Sequence, residues 1–248
     1  MKDVILVAHR AGGLGVFENR LETIKNTLKK KYVDAVEVDV RLTKDGVLVI
    51  HHDRGVYING KRIWIDKLEY STIKHLGIPT FDEVIKLFLK SDKILNIDVK
   101  DEWCIIPLKE IFTKNKFYKK FYLDCFDFDV LLKLQEKLPN GEYFLSLNPK
   151  DSFDFNRRFV VRILLLLATL FFSQLIVYFL RKKIMKIKID GISIYYKFAK
   201  KGFIKDLKAF GFKVFVWGTD REFEMEYFLR SGVDGIKTRN ISYFEKLI

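Results

Sequence analysis

The residue types best suited to chemistry in this sequence are histidines, carboxylates and cations that recur in short clusters. His9-Arg10 comes first, then Glu37-Val38-Asp39, then His51-His52-Asp53, then Asp98-Val99-Lys100, with Trp217 much later. Imidazoles move protons near neutral pH, so His9 and His52 are candidates for an acid and base pair. Glu37 and Asp39, two apart, share one face if the backbone is a strand, and Asp98 could join them from a neighbour. Three converging carboxylates repel one another and call for a cation. An all-oxygen set suits Mg²⁺ or Ca²⁺ rather than zinc. Arg10 and Lys100 could neutralise a phosphate as charge builds in a transition state. Taken singly, these motifs are ordinary. A lone Glu-x-Asp on a strand is more often a salt-bridged pair, and His51-His52-Asp53 reads as well as a polar loop.

The elements that must position these groups supply what each motif lacks alone. Short apolar runs read as strands at Val4–Ala8, Ala35–Val40, Ile94–Val99, Phe121–Cys125, Tyr143–Leu147, Gly191–Ile194, Lys213–Val216 and Gly235–Ile236. Amphipathic stretches between them read as helices near Leu21–Lys31, Thr80–Leu89, Ile106–Lys114, Asp129–Lys137, Phe159–Lys183, Ala199–Ala209 and Glu222–Arg230, then Ser242–Leu247. Continuous apolar strands suit a parallel sheet buried on both faces, and the strand-first order points to an α/β fold of the (β/α)₈ TIM barrel type. An open doubly wound sheet is the structural alternative. In a barrel the interior layers are apolar, so charged residues at successive C-terminal strand ends read as chemistry.

A length of 248 residues fits one such barrel as a single domain over 1–248, and no Pro/Gly/Ser-rich linker suggests a boundary. The formal charge of +13 favours anionic partners: phosphate esters, nucleic acid or an acidic lipid surface. Much of that excess is Lys scattered over helical faces. The two cysteines, Cys104 and Cys125, show no metal-type spacing and suggest a reducing, cytoplasmic setting. The first apolar run is too short for a signal peptide.

Together, His9-Arg10-Ala11-Gly12, Glu18-Asn19, Glu37-Val38-Asp39-Val40, Thr43-Lys44-Asp45-Gly46-Val47 and His52-Asp53 resemble the signature of the glycerophosphodiester phosphodiesterases, in its usual order. Ile78-Pro79-Thr80-Phe81-Asp82-Glu83-Val84, Asn96-Ile97-Asp98-Val99-Lys100, Val216-Trp217 and Gly232-Val233-Asp234-Gly235-Ile236 extend the likeness over nearly the whole chain, except about Asp151–Lys188. The resemblance implies cation-assisted hydrolysis of a glycerophosphodiester to sn-glycerol 3-phosphate and an alcohol. Carried over by position, it makes His9 and His52 the acid/base pair and Glu37, Asp39 and Asp98 the ligands of Mg²⁺ or Ca²⁺. Arg10 and Lys100 become phosphate contacts and Trp217 a substrate contact, with Glu18, Asn19 and Asp53 supporting the site. The chain departs from the family pattern at several points. Asp98 stands where Glu is usual, Arg20 where Thr is, Gly218-Thr219-Asp220 where Thr-Val-Asn is, and Arg239 where an acidic residue is common.

Residues 163–180 contain no charge and are flanked by Arg157, Arg158 and Arg162 on one side and Arg181, Lys182 and Lys183 on the other. As a helix they would reach about 27 Å, close to a hydrocarbon thickness. A single span would put strands of one barrel on opposite sides of a membrane. The expectation for 159–183 is therefore a hydrophobic helix that docks in one leaflet, making the protein peripheral or monotopic, or packs in a homo-oligomer, or lies in the core. A lipid dock would make lysophospholipids plausible substrates. A phospholipase D-like enzyme acting on lysophospholipid or sphingolipid is the near rival, and an inactive membrane-associated binding module is the rival of another class. A nucleic-acid role has only net charge behind it, with no specific recognition motif. The stretch from Arg54 to Gly77 reads as too short for an elaborate substrate lid.

Overall fold

In a computed structural model of the chain, residues 4–147, 178 and 188–247 are described. Eight parallel strands among them close into a barrel: β1 (Ile5–Ala8), β2 (Ala35–Leu42), β6 (Ile94–Val99), β7 (Phe121–Cys125), β8 (Glu142–Leu147), β9 (Gly191–Tyr195), β10 (Lys213–Trp217) and β11 (Gly235–Thr238). Each pairs with its neighbours, and β1 closes the ring by pairing with both β11 and β2. The closed ring excludes the open-sheet alternative. Helices α1 (Leu21–Leu28), α3 (Phe81–Phe88), α4 (Ile105–Lys114), α5 (Phe128–Lys137), α6 (Lys201–Ala209) and α7 (Glu222–Leu229) follow strands in the β/α order. Their apolar sides and the outward strand residues form one continuous core that includes Val36, Val38, Ile97, Leu123, Ile192 and Ile236.

The barrel interior is apolar at its base, where Val7, Ala35, Tyr122, Phe144 and Phe215 pack on one another, fully buried. Two glycines make room for those rings. A Cβ at Gly191 would lie 2.4 Å from Phe144 Cε1, and one at Gly235 would lie 2.8 Å from the Phe215 ring. Bulky aromatic residues on β8 and β10 thus require glycine on the adjoining strands.

Several element limits differ from the sequence expectation. A turn of 3₁₀ helix at Tyr196–Phe198 delays α6 to Lys201, and Thr80 is the N-cap of α3 rather than its first residue. The larger difference lies between β2 and α3. Here β3 (Leu48–Ile50) extends the sheet antiparallel to β2, and β4 (Gly55–Ile58) and β5 (Lys61–Trp64) form a hairpin before the short helix α2 (Tyr70–Ile73). The hairpin turns at Asn59-Gly60, both with positive φ (49° and 75°), the backbone that Asn-Gly supplies most cheaply. Val49, Val56, Ile65, Ile73 and Ile78 give this excursion a small core of its own. The stretch from Arg54 to Gly77 therefore carries a structured flap rather than a bare connection.

The expected hydrophobic helix at 159–183 lies outside the described residues, Tyr178 aside. Among the described residues no helix is long and apolar enough to cross a membrane.

Candidate active site

Parallel register sets the site. β2 pairs with β6 so that Asp39 sits beside Asp98, two residues after Glu37 sits beside Asn96. One oxygen from each of Glu37, Asp39 and Asp98 falls in a group whose members all lie within 4.8 Å of one another. Glu37 and Asp39 are buried, and Asp98 is 8% exposed. The Lys100 ammonium stands between two of them. It donates to Asp98 Oδ2 at 2.6 Å and lies 2.6 Å from Asp39 Oδ1, off the hydrogen-bonding axis.

One ammonium cannot balance three carboxylates in so dry a place. Burial, then the neighbouring Asp39 and Asp98 charges, push the Glu37 carboxyl well above its usual range. Burial also raises Asp98, against the pull of Lys100. At Asp39 burial acts the same way but is overcome by Lys100, then His52 and Arg10, and its pKa is held low. Asp98 Oδ1 is buried with no hydrogen-bond partner. Clustered oxygens, an orphaned acceptor and an unbalanced charge all fit a hard divalent cation.

The opposite side of the cluster is built by the turn after β1. Arg10 and Ala11 take left-handed backbone (φ 50° and 63°), a costly conformation for residues with a Cβ. This bend aims the Arg10 N–H at Glu37 Oε2, 2.5 Å away, and sends the guanidinium over the site. There Arg10 donates to Glu18 Oε2 at 2.8 Å and to His52 Nε2 at 2.8 Å. A guanidinium only donates, so His52 Nε2 must accept. The proton then sits on Nδ1, which donates to Asp53 Oδ1 at 2.8 Å. Asn19, also left-handed, donates to Asp39 Oδ2 at 2.7 Å. His9 packs near Trp217, ring centroids 6.1 Å apart, and its Nδ1 is enclosed without a partner. Burial, with Arg10 adding to it, pushes the His9 imidazole well below its ordinary pKa, so it is neutral.

Thus His9, Arg10, Glu37, His52, Asp98, Lys100 and Trp217 line one depression at the mouth of the barrel. Asp39 lies beneath Lys100, while Glu18, Asn19 and Asp53 each hold a lining residue or a carboxylate in place. Every residue assigned to the site from sequence thus lines this depression or holds another of the site's residues.

The same depression contains residues that sequence reasoning missed. Lys237 on β11 reaches Asp124 on β7, at 2.6 Å, and both are buried. In the ring order β7 and β11 are separated by three strands on either side, so this ion pair crosses the barrel. Asn96 also donates to Asp124 Oδ2, and Ser146 donates to Oδ1 at 3.4 Å. Arg239 was noted only as a departure. Its guanidinium donates to Asp220 Oδ2 through Nε at 2.8 Å and through Nη2 at 2.5 Å, and its Nη1 donates to Glu18 Oε1 at 2.9 Å. Glu18 therefore braces Arg10 from a carboxylate shared with Arg239. Asp220 and Arg239, both departures from the family pattern, thus pair with each other.

The chain is similar to several known proteins. A curated glycerophosphodiester phosphodiesterase from Caldanaerobacter subterraneus subsp. tengcongensis is 25% identical over 256 residues, covering 94% of this chain and 93% of that protein. Lysophospholipase D GDPD3 of Mus musculus is 26% identical over 109 residues, 44% of this chain and 31% of that one. A phosphodiesterase from Oleispira antarctica, solved in complex with the product sn-glycerol-3-phosphate, superposes with a TM-score of 0.78 at 18% identity, covering 98% of this chain and 95% of that one. The model of the glycerophosphoryl diester phosphodiesterase family matches residues 9–242. The chain belongs to the glycerophosphoryl diester phosphodiesterase family, and with it to the phosphoric diester hydrolases.

Proposed function

We propose that this protein hydrolyses glycerophosphodiesters to sn-glycerol 3-phosphate and an alcohol, with a divalent cation held by Glu37, Asp39 and Asp98. The carrying observation is the cluster of three carboxylate oxygens within 4.8 Å of one another, at a depression lined by two histidines and three cations. Mg²⁺ and Ca²⁺ are the ions the donor set suits. A bound cation would supply Lewis-acid polarisation of the phosphate.

The chain's own groups do the rest. Arg10 turns from His52 to the phosphate oxygens, and Lys100 lies close enough to share them. Neutral His9, enclosed at Nδ1, takes a proton at Nε2 from an attacking water, or from a glycerol hydroxyl whose cyclic phosphate a water then opens. The new P–O bond forms as the bond to the alcohol breaks. His52, held at Nδ1 by Asp53, takes up a proton at Nε2 once Arg10 has turned away, and delivers it to the leaving oxygen. Trp217 forms a wall for the glycerol. The test is release of sn-glycerol 3-phosphate from glycerophosphocholine with Mg²⁺, Ca²⁺ or EDTA, beside His9→Ala. Cation-dependent release lost in the variant is the expected result; no release with either cation from folded protein refutes it.

A second reading, hydrolysis of lysophospholipid at a membrane surface, is favoured by the uncharged run 163–180 between basic flanks, and by the partial likeness to a lysophospholipase D. Lysophosphatidylcholine as the preferred substrate, with the protein floating on anionic liposomes, supports it. Protein left in solution removes it.

A further inference from the structure

Beside the catalytic depression, and sharing His52 and Lys100 with it, lies an open cleft of about 900 Å³. A phosphate held by Arg10 and Lys100 has this cleft as a neighbour, so one substituent of the diester can extend into it. The volume is near the upper end of small-molecule sites, which span about 300–1,000 Å³. It is ample for a polyol and far larger than a two-carbon amine needs.

The charge on its wall is informative. Arg41, Lys44, Arg54 and Arg62 all line it. Arg54 lies 3.8 Å from Asp66, which also holds Lys67. Arg41 donates from Nε and Nη2 to the His52 carbonyl, at 3.0 and 2.8 Å. Among the described residues no carboxylate forms a salt bridge with Arg41, Lys44 or Arg62. Of the wall's other acids, Asp53 accepts from His52, while Asp101 accepts only a weak bond from Cys104 Sγ at 3.5 Å and keeps its charge, leaving the cations in excess. The hairpin presents two of the cations. Arg54 and Arg62 each stack on the Trp64 indole, 5.2 Å from its centroid, which orients planar groups while leaving their N–H edges to bind oxygen.

We propose that this cleft is a leaving-group subsite for an alcohol that carries a second phosphate, so that the preferred substrate is a glycerophosphodiester of a phosphorylated polyol. The inference rests on the hydrolytic function proposed above and adds the substrate class. Guanidinium forks match a phosphate monoester, whose charge also exceeds that of a carboxylate. A quaternary amine in the same place would face Arg41, Lys44, Arg54 and Arg62, with Asp53, Asp66, Asp101 and the Trp103 ring offsetting them only in part.

The test compares kcat/KM for glycerophosphoinositol 4-phosphate, glycerophosphoinositol and glycerophosphocholine, in wild-type protein and in Lys44→Gln/Arg62→Gln. The phosphorylated substrate should lead glycerophosphoinositol by about tenfold or more, as hydrogen bonds to a charged group allow. Glycerophosphocholine should come last. The double variant should lose the lead while keeping glycerophosphoinositol turnover within about twofold, and raised salt should shrink the lead in wild type. Equal turnover of all three, or a lead that survives the double variant, overturns the subsite and leaves the hydrolytic activity standing. Turnover of none overturns the activity and the subsite together.

Discussion

Two sets of buried carboxylates and ammonium groups occupy this barrel, and they differ in one respect. Across the interior, Lys237 meets a single carboxylate, Asp124, whose oxygens are also met by Asn96 and Ser146. Between β2 and β6, Lys100 stands among three carboxylates, two of which, Asp39 and Asp98, have an oxygen that accepts no hydrogen bond. Charge closes on itself in the first set, although Asn96 Oδ1 accepts no hydrogen bond there, and stays open in the second. A closed set holds strands together; an open one stores a demand that only a ligand can meet. Similar chemical groups thus brace strands on one side and, on the other, leave the charge that the proposed cation would meet.

Breaking the brace should have the largest effect. Lys237→Met leaves Asp124 buried without its counter-charge and should cost about 3–5 kcal/mol, read by urea unfolding. Lys237→Met/Asp124→Leu should recover most of that. Equal losses in both proteins would show that the pair is not a closed unit. Next comes the open set. Glu37→Gln should lower kcat/KM by about 10²–10³-fold, yet leave the cation-free protein as stable as wild type or more so, because like-charge repulsion is relieved. A fall in melting temperature as large as the brace variant's would erase the distinction between the sets.

The proton-transfer groups give a smaller effect with a definite sign. His9 has a lowered pKa in the folded state, so the unfolded chain binds its proton first as pH falls through about 6.5. Its contribution is present above that value and is lost progressively below it, toward the folded pKa. Glu37 and Asp98, whose raised pKa values let the folded chain bind protons first, act with the opposite sign. The His9 part is therefore read as a difference: from pH 7 to pH 5 the melting temperature of wild type should fall relative to that of His9→Gln. The acidic limb of kcat/KM should also lie below 6.5. A limb above 6.5 would mean that His9 is not the base. Smallest of all, Arg239→Ala should raise KM several-fold with little change in kcat, because Glu18 would then hold Arg10 alone. The pair is partly exposed, so its stability effect should stay within about 1 kcal/mol.

How far the sequence reveals these sets follows from strand parity. Glu37, Asp39 and Asp98 announce themselves because residues two apart point the same way and because acids are out of place in an apolar run. Lys237 obeys the same parity from Gly235, but the strand reads as ending at Ile236, so the lysine passes for the start of a loop. Asp124 sits within a correctly read strand, yet a lone acid there has no visible partner when that partner comes from the far side of the ring. Cross-barrel contacts are set by closure, which no local pattern contains. The flap between β2 and α3 was legible in principle through Asn59-Gly60, but its strands are only four residues each and hardly alternate. Arg239 looks like a lost acid until Asp220 is seen to hold it.

The claim that everything else depends on is that the open carboxylate set binds a divalent cation and the closed set does not. Calorimetric titration of Mg²⁺ and of Ca²⁺ into metal-free protein addresses it directly, in wild type, Asp98→Asn and Lys237→Met/Asp124→Leu. One equivalent should bind to the wild type and to the double variant, and binding should be lost or much weakened in Asp98→Asn. No binding of either ion to the wild type, or binding untouched by Asp98→Asn, would contradict it.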